Sequence, residues 1–141
     1  MDETRKEFLL ALGYAQKAID IIARDLHLGT LTDASVHVQH QAGCGDVLML
    51  WLRIEDDVIR DAAFQYAGCS GLQASASGMC ELAIGASIDD AKAIDVHDII
   101  GFLDAIPKNK YECAEAARDT LRKALAEYRS SREPATRTKS A

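Results

Sequence analysis

The sequence predicts an α+β fold in which a small three-stranded antiparallel sheet is packed with helices. Residues 36–41 alternate between apolar and polar side chains, the pattern of a strand with one face in water. Residues 47–54 are almost entirely apolar, which indicates a central, covered strand. Residues 111–129 instead carry apolar side chains at helical spacing. A helix, three strands and then further helices are typical of one α+β domain.

Apolar residues near the start of the chain recur every three or four positions and predict one amphipathic helix that ends near Gly29. Its apolar face would consist of Phe8, Leu12, Ala15, Ile19, Ile22 and Leu26. A third strand is predicted at residues 58–66, after a polar turn at residues 55–57. This strand would form a hairpin with the second one.

Further helices are predicted after the sheet. The apolar face of the first would consist of Leu72, Ala76, Met79, Cys80 and Ala83. Ser87 with Asp90, and Asp95 with Asp98, have the spacing of N-cap pairs. They predict the starts of two short helices, the second of which ends near Asp104.

Pro107 interrupts the helical pattern after these helices, and the last helix is predicted beyond it at residues 111–129. Residues 130–141 contain Pro, Ser, Thr and Arg without an apolar pattern. We therefore expect a folded domain at residues 1–129 and a disordered tail at residues 130–141.

The composition and charge of the chain argue against several classes of function. The chain has 141 residues, 48% of them hydrophobic, and a net charge of −6. An acidic chain lacks the basic face that nucleic-acid binding needs. The acidic start does not resemble a signal peptide, and the apolar run at residues 47–52 is too short to span a membrane. We therefore expect a cytoplasmic protein that binds neither nucleic acid nor membrane.

Three of the four cysteines share a setting. Cys44, Cys69 and Cys113 lie in connections that contain glycine or proline, whereas Cys80 lies on the apolar face of a helix and is expected in the core. In a reducing compartment such thiols are more often free, catalytic or metal-binding than paired as disulfides. Spacing alone leaves two interpretations open. The three thiols are unrelated, or they converge with Asp46 on one metal centre, where thiolates suit zinc, copper(I) or iron–sulfur units.

Asp46 and the histidines carry weaker signals. Asp46 is either a carboxylate at a strand edge or an oxygen ligand that would hold a metal less firmly than a thiolate does. His40 is expected to be a structural histidine on the apolar face of its strand. His27 and His97 are expected at the surface.

Four stretches together resemble the U-type iron–sulfur cluster assembly scaffolds, namely IscU and the N-terminal domain of NifU. The resemblance runs from Tyr14 to Tyr128. Its segments are YAQKAID, GCGDVLMLWLRI, FQYAGCSGLQASAS and IPKNKYECAEAARDTLRKALAEY. Three cysteine motifs in the same order are far more specific than any one of them.

This resemblance implies a scaffold rather than an enzyme. Such proteins receive persulfide sulfur from a cysteine desulfurase, take up iron, build a 2Fe–2S cluster and pass it to recipient apo-proteins. By position, the implied ligands are Cys44, Cys69 and Cys113, with Asp46 as the family's aspartate and Lys110 as its lysine before the last motif. An exposed cluster bridged by two protomers would make the protein a homodimer.

The sequence departs from the family at its third motif. Glu112 stands where the family often has histidine, so Asp46 is the first choice for a fourth ligand and Glu112 the second. Residues 106–110 differ from the family's chaperone-recognition segment, which makes recognition by an Hsp70-type chaperone doubtful. We expect Cys113 to accept the persulfide, because it begins a helix near Lys110, whose charge would stabilise the thiolate.

Two other functions use the same residues. A zinc-dependent sulfur relay of the SufU type would accept sulfur without building a cluster, but that branch has an insertion between its second and third motifs that residues 69–113 lack. A structural zinc domain would hold its metal permanently. Zinc bound to the isolated protein is compatible with all three functions.

Overall fold

A three-stranded antiparallel sheet lies at the centre of the protein in the computed structural model, which describes residues 1–43 and 45–132. Its strands, in the spatial order β1-β2-β3, are β1 (Val36–Gln41), β2 (Val47–Glu55) and β3 (Val58–Ala67). This confirms the three predicted strands and the α+β class.

The polar turn between β2 and β3 is a two-residue hairpin loop. Asp56 and Asp57 both have positive φ, 55° and 59°. Two successive residues of this kind match the twist of a tight hairpin, and aspartate tolerates the left-handed region better than most residues do. The loop therefore fixes the pairing of Glu55 with Val58, and a register shift between Ile54 and Arg53 then leads to the pairing of Leu50 with Phe64.

Helices precede and follow the three strands along the chain. They are α1 (Glu3–Leu12), α2 (Gln16–Ala23), α3 (Ser70–Ala83), α4 (Ile88–Lys92), α5 (Val96–Leu103) and α6 (Tyr111–Arg132), with a short 3₁₀ helix at Lys108–Lys110. Helices α3 and α6 pack on each other and on the strands. The inner face of the sheet and these two helices form the centre of the core, to which α2 and α5 add buried side chains such as Ile19 and Ile99.

The single first helix predicted up to Gly29 is wrong. Gly13 adopts a left-handed conformation (φ 109°) and donates its N–H to the carbonyl of Leu10, which ends α1. The chain then turns into α2, whose isoleucines are buried, while Phe8 and Leu12 remain 62% and 49% exposed. Helix α2 ends at Ala23, so the periodic spacing runs across two helices and a turn.

The predicted caps of the later helices are confirmed. The Ser87 hydroxyl accepts the N–H of Asp90 at 3.1 Å. Asp95 and Asp98 form a reciprocal capping box at the start of α5. Such caps satisfy backbone donors that a helix leaves unpaired at its first turn.

The end of the last helix differs from the prediction. Helix α6 continues to Arg132, so residues 130–132 belong to it and not to the predicted tail. Residues 133–141 lie outside the described part of the chain.

Cys80 lies in the core, as predicted, with no exposed surface. It belongs to the same buried core cluster as Leu50 and Phe64 of the sheet, which are also fully buried. In the described ranges, no helix is both long and apolar enough to cross a bilayer.

Candidate functional site

Two helix N-termini bring a pair of thiols together. Cys69 is the N-cap of α3, and Cys113 lies in the first turn of α6. Because α3 and α6 pack on each other, the two sulfur atoms lie 3.6 Å apart although 44 residues separate them. Cys69 is half-buried, and Cys113 is 5% exposed. Of the three predicted ligand cysteines, the structure places these two together, and Cys44 lies outside the described residues.

Asp46 lies directly before β2, at the end of the connection from β1. The N–H of Ala42 donates to the carbonyl of Asp46 at 2.8 Å, and Gly45 has a positive φ of 95°. The Asp46 carboxylate in turn lies against Gly68, the residue before Cys69. A Cβ added at Gly68 would come within 2.8 Å of Asp46 Oδ2, so the absence of a side chain there allows the close approach.

A cleft of about 250 Å³ opens beside Cys113. Polar residues along its walls are His40, Asp46, Glu112, Glu115 and Asp119. Most of them are acidic, which favours the approach of a cation. His40, predicted to be structural, and the exposed Glu112 therefore both line the cleft.

The other side of the thiol pair is formed by Lys110 and Tyr14, which lie against the first turn of α3 at Gly71. A Cβ at Gly71 would lie 3.0 Å from Cβ of Lys110 and 3.1 Å from the Tyr14 hydroxyl oxygen. Helix α1 reaches the same turn, because the Arg5 guanidinium donates to the Ser70 hydroxyl at 3.3 Å.

The two thiols share one proton unequally. The hydrogen bond from the Cys113 thiol lowers the pKa of Cys69 to about 5, helped by the backbone N–H groups of Leu72 and Gly71 and by the charge of Lys110, although burial opposes the shift. The pKa of Cys113 is raised, first by its hydrogen bond to Cys69 and then by burial. These opposite shifts favour a thiolate at Cys69 beside a protonated thiol at Cys113.

The pKa of the Tyr14 hydroxyl is affected by the same thiolate. Burial, and to a lesser extent the charges of Cys69 and Cys113, raise the pKa of Tyr14 to about 12. The hydroxyl therefore stays protonated beside the thiolate. Sequence periodicity assigned Tyr14 no role, although it begins the YAQKAID segment.

Alkylation of Cys69 is expected to remain effective at pH 6 and to fall as the pH drops through about 5, since only the thiolate reacts. Cys113→Ala removes the donor, so the pH profile of Cys69 should move to higher pH. Iodoacetamide labelling read by peptide mass spectrometry measures both profiles. An unchanged Cys69 profile in Cys113→Ala would contradict the hydrogen bond as the main cause.

The described residues contain no group of three or more His, Cys, Asp or Glu side chains arranged to hold a metal ion. The site there consists of two thiols and an acidic cleft, and Asp46 is one of the carboxylates that line the cleft. The predicted convergence of all three cysteines depends on Cys44 and stays a prediction.

Comparison with known proteins places the chain in a protein family. Residues 13–135 match the family model of the NifU-like N terminal domain. The iron-sulfur cluster assembly scaffold protein IscU of Escherichia coli K12 is 33% identical over 127 residues, which cover 86% of this chain and 98% of that protein. The nitrogen fixation protein NifU of Azotobacter chroococcum is 44% identical over 88 residues, 61% of this chain but only 28% of NifU.

Solved structures agree with the sequence matches. A putative iron-sulfur cluster assembly scaffold protein for the SUF system, from Fervidobacterium islandicum, superposes with a TM-score of 0.65 at 26% identity, over 79% of this chain and 96% of that one. The N-terminal NifU-like protein of Brucella abortus, at 21% identity and a TM-score of 0.54, shares the fold over 80% of this chain and 89% of its own. Because the family match spans most of the chain and the chain covers nearly all of the Escherichia coli relative, the protein belongs to the family of NifU-like N-terminal domains.

Proposed function

We propose that the protein is a scaffold on which an iron–sulfur cluster is assembled and from which it is passed to apo-proteins. The observation that carries this proposal is the thiol pair of Cys69 and Cys113, 3.6 Å apart at the edge of an acidic cleft, in a chain of this family. The Escherichia coli and Archaeoglobus fulgidus relatives are themselves named iron-sulfur cluster assembly scaffold proteins.

The chemistry of the donor atoms supports an iron–sulfur cargo. Thiolates bind the iron of such clusters, and a preformed thiolate at Cys69 removes the need to lose a proton on binding. The carboxylates of the cleft, among them Glu115 and Asp119, favour the entry of a cation. A scaffold that releases its cargo needs both thiolates, which bind iron firmly, and carboxylates, which bind it less firmly.

We propose Cys44, Cys69 and Cys113 as cluster ligands and Asp46 as the exchangeable fourth. Asp46 is supported by its position against Gly68, next to Cys69. Glu112 remains the alternative fourth ligand, since it lines the same cleft from the residue before Cys113. The cargo proposed is a 2Fe–2S cluster.

Sulfur would enter as a persulfide from a cysteine desulfurase. Cys113 was the expected acceptor, but the greater exposure and the lower pKa of Cys69 support Cys69 as the first acceptor. Lys110 is proposed to stabilise the thiolate, because its charge lowers the pKa of both thiols. Recipient apo-proteins would then take the finished cluster at the exposed edge of the site.

Anaerobic reconstitution with iron, cysteine and a desulfurase tests the proposal. We expect visible absorption from sulfide-to-iron charge transfer, with iron and sulfide bound in equal amounts, and transfer of the absorption to an added apo-ferredoxin. A colourless protein that holds one zinc per chain and forwards sulfur would overturn the scaffold in favour of a relay. Metal that leaves only when the chain unfolds would indicate structural zinc.

Gly68→Ala is expected to shorten the lifetime of the reconstituted cluster several-fold. It should lower the free energy of unfolding by only about 1–3 kcal/mol. The added Cβ would lie within 2.9 Å of the ends of Asp46 and Leu72, so these flexible side chains must move. Decay of visible absorption and thermal unfolding separate the two effects.

Gly101→Ala is the matched control, because no atom lies within 4 Å of a Cβ at that helix position. Equal cluster lifetimes in the two variants would contradict a role for the Asp46 position.

A further inference from the structure

The thiol pair has a second chemical capacity besides holding iron. In the resting site, the sulfur of Cys113 lies 3.6 Å from the sulfur of Cys69, within hydrogen-bonding distance. A disulfide between them would need roughly 1.5 Å of approach, since an S–S bond is about 2.0 Å long. Both residues lie at helix ends, where a small shift leaves the helices intact.

We propose that this pair reduces incoming persulfide sulfur to hydrosulfide and closes to a Cys69–Cys113 disulfide when no iron is present to take the sulfur. This inference rests on the proposed function, because it needs a persulfide donor of the kind that a desulfurase supplies. It adds the source of the two electrons that convert zero-valent sulfur to sulfide.

The first step is ordinary sulfur transfer. The Cys69 thiolate attacks the outer sulfur of the donor persulfide, and the donor leaves as a thiol or thiolate, which gives Cys69–S–S⁻. The half-buried Cys69 is accessible for this attack, whereas Cys113 is 5% exposed.

The second step uses the resting geometry. The atom that becomes the inner sulfur of the Cys69 persulfide is the same atom that Cys113 already contacts at 3.6 Å. Cys113 gives its proton to the outer sulfur and attacks the inner one, so that the S–S bond to the outer sulfur breaks. The sum is Cys113–SH + Cys69–S–S⁻ → Cys69–S–S–Cys113 + HS⁻.

Electrons balance in this scheme without an added oxidant. Each cysteine sulfur is oxidised by one electron, and the transferred sulfur is reduced by two. Should the donor load Cys113 first, the same equation holds with the two cysteines exchanged. The disulfide must then be reduced by an external dithiol before the site binds iron.

Cys80 provides the internal contrast. It lies eleven positions along α3 from Cys69, which is about 16 Å along a helix axis, and it is fully buried. Burial also raises its pKa. Cys80 is therefore not a partner for either member of the pair.

The test loads the full chain with one equivalent of glutathione persulfide, anaerobically and without iron or reductant. We expect about one hydrosulfide per chain and an intact mass lower by about 2 Da, the two hydrogens lost on closing a disulfide. Peptide mapping should identify the Cys69–Cys113 linkage. Cys80→Ala should behave like the unaltered chain.

The single variants Cys69→Ser and Cys113→Ser should instead gain about 32 Da as a stable persulfide and release at least about tenfold less sulfide. A persulfide that persists in the unaltered chain overturns the inference, as does full sulfide release by either variant. Cys44→Ser should still release sulfide, and loss of release there would overturn the assignment to this pair.

Failure of this inference and failure of the proposed function give different results. A chain that builds a cluster when a reductant is supplied, yet keeps its persulfide without one, contradicts only the internal reduction. A chain that releases sulfide and closes the disulfide but never binds a cluster contradicts only the scaffold function.

Discussion

Serine in place of Cys69 or Cys113 is expected to abolish the visible absorption of the reconstituted protein. Each substitution exchanges a soft thiolate for a hydroxyl that does not ionise at neutral pH, and iron–sulfur clusters are held by thiolates. The two sulfurs lie 3.6 Å apart, so loss of either one also removes its partner's hydrogen bond. Absorption spectra and bound iron measured after anaerobic reconstitution give the result.

Cys80→Ala is the control for these variants, because it removes a thiol that is fully buried in the core. We expect this variant to retain full absorption. Retention of the cluster in Cys69→Ser, with circular dichroism unchanged, would show that the pair does not hold the cargo.

Phe64→Ala is expected to destabilise the fold by about 3–5 kcal/mol, the usual range for deleting a buried aromatic side chain. Phe64 is fully buried in β3 opposite Leu50. Its backbone N–H also bonds to the His27 carbonyl, and its carbonyl accepts the N–H of Gly29. Its side chain belongs to the buried core cluster, so the cavity would open inside the core while these backbone hydrogen bonds remain. Urea unfolding measures the change in the free energy of unfolding.

Gln65→Ala, the next residue along β3, is the matched control because its side chain is exposed. We expect its effect to stay within about 0.5 kcal/mol, as for most surface substitutions. If the two variants lose similar stability, Phe64 is not a central core residue.

The strands and caps were predictable because their signals are local. Alternation at residues 36–41 and the apolar run at 47–54 identify β1 and β2 without knowledge of the rest of the chain. Ser87 likewise bonds to a backbone N–H three residues away. In each case the residues that determine the structure are neighbours in sequence.

The first helix was not predictable from periodicity. Phe8 and Leu12 continue the spacing of Ile19 and Ile22, although the chain reverses at Gly13 between them. A Cβ at Gly13 would lie 3.6 Å from Cα of Pro107, so this turn packs against a segment far along the chain. No window of local sequence contains that contact.

The site was predictable from the ordered cysteine motifs rather than from spacing. Cys69 and Cys113 are 44 residues apart, and only the packing of α3 on α6 joins them. The resemblance supplied that long-range information. It did not assign a role to Tyr14, which becomes a neighbour of the thiolate only when the chain between α1 and α2 packs against the start of α3.

Cys69 stands at the N-cap of α3, where the residue that best stabilises the helix is not the residue that reacts with sulfur. Serine is among the residues that cap a helix best, whereas the Cys69 sulfur makes no capping hydrogen bond of the usual geometry and has only the weaker interactions with the N–H groups of Leu72 and Gly71. Selection for a long-lived fold alone would favour serine at this position. A thiol there exchanges helix stability for reactivity, so we expect screens for thermostable variants to recover Cys69→Ser as a stable but inactive chain.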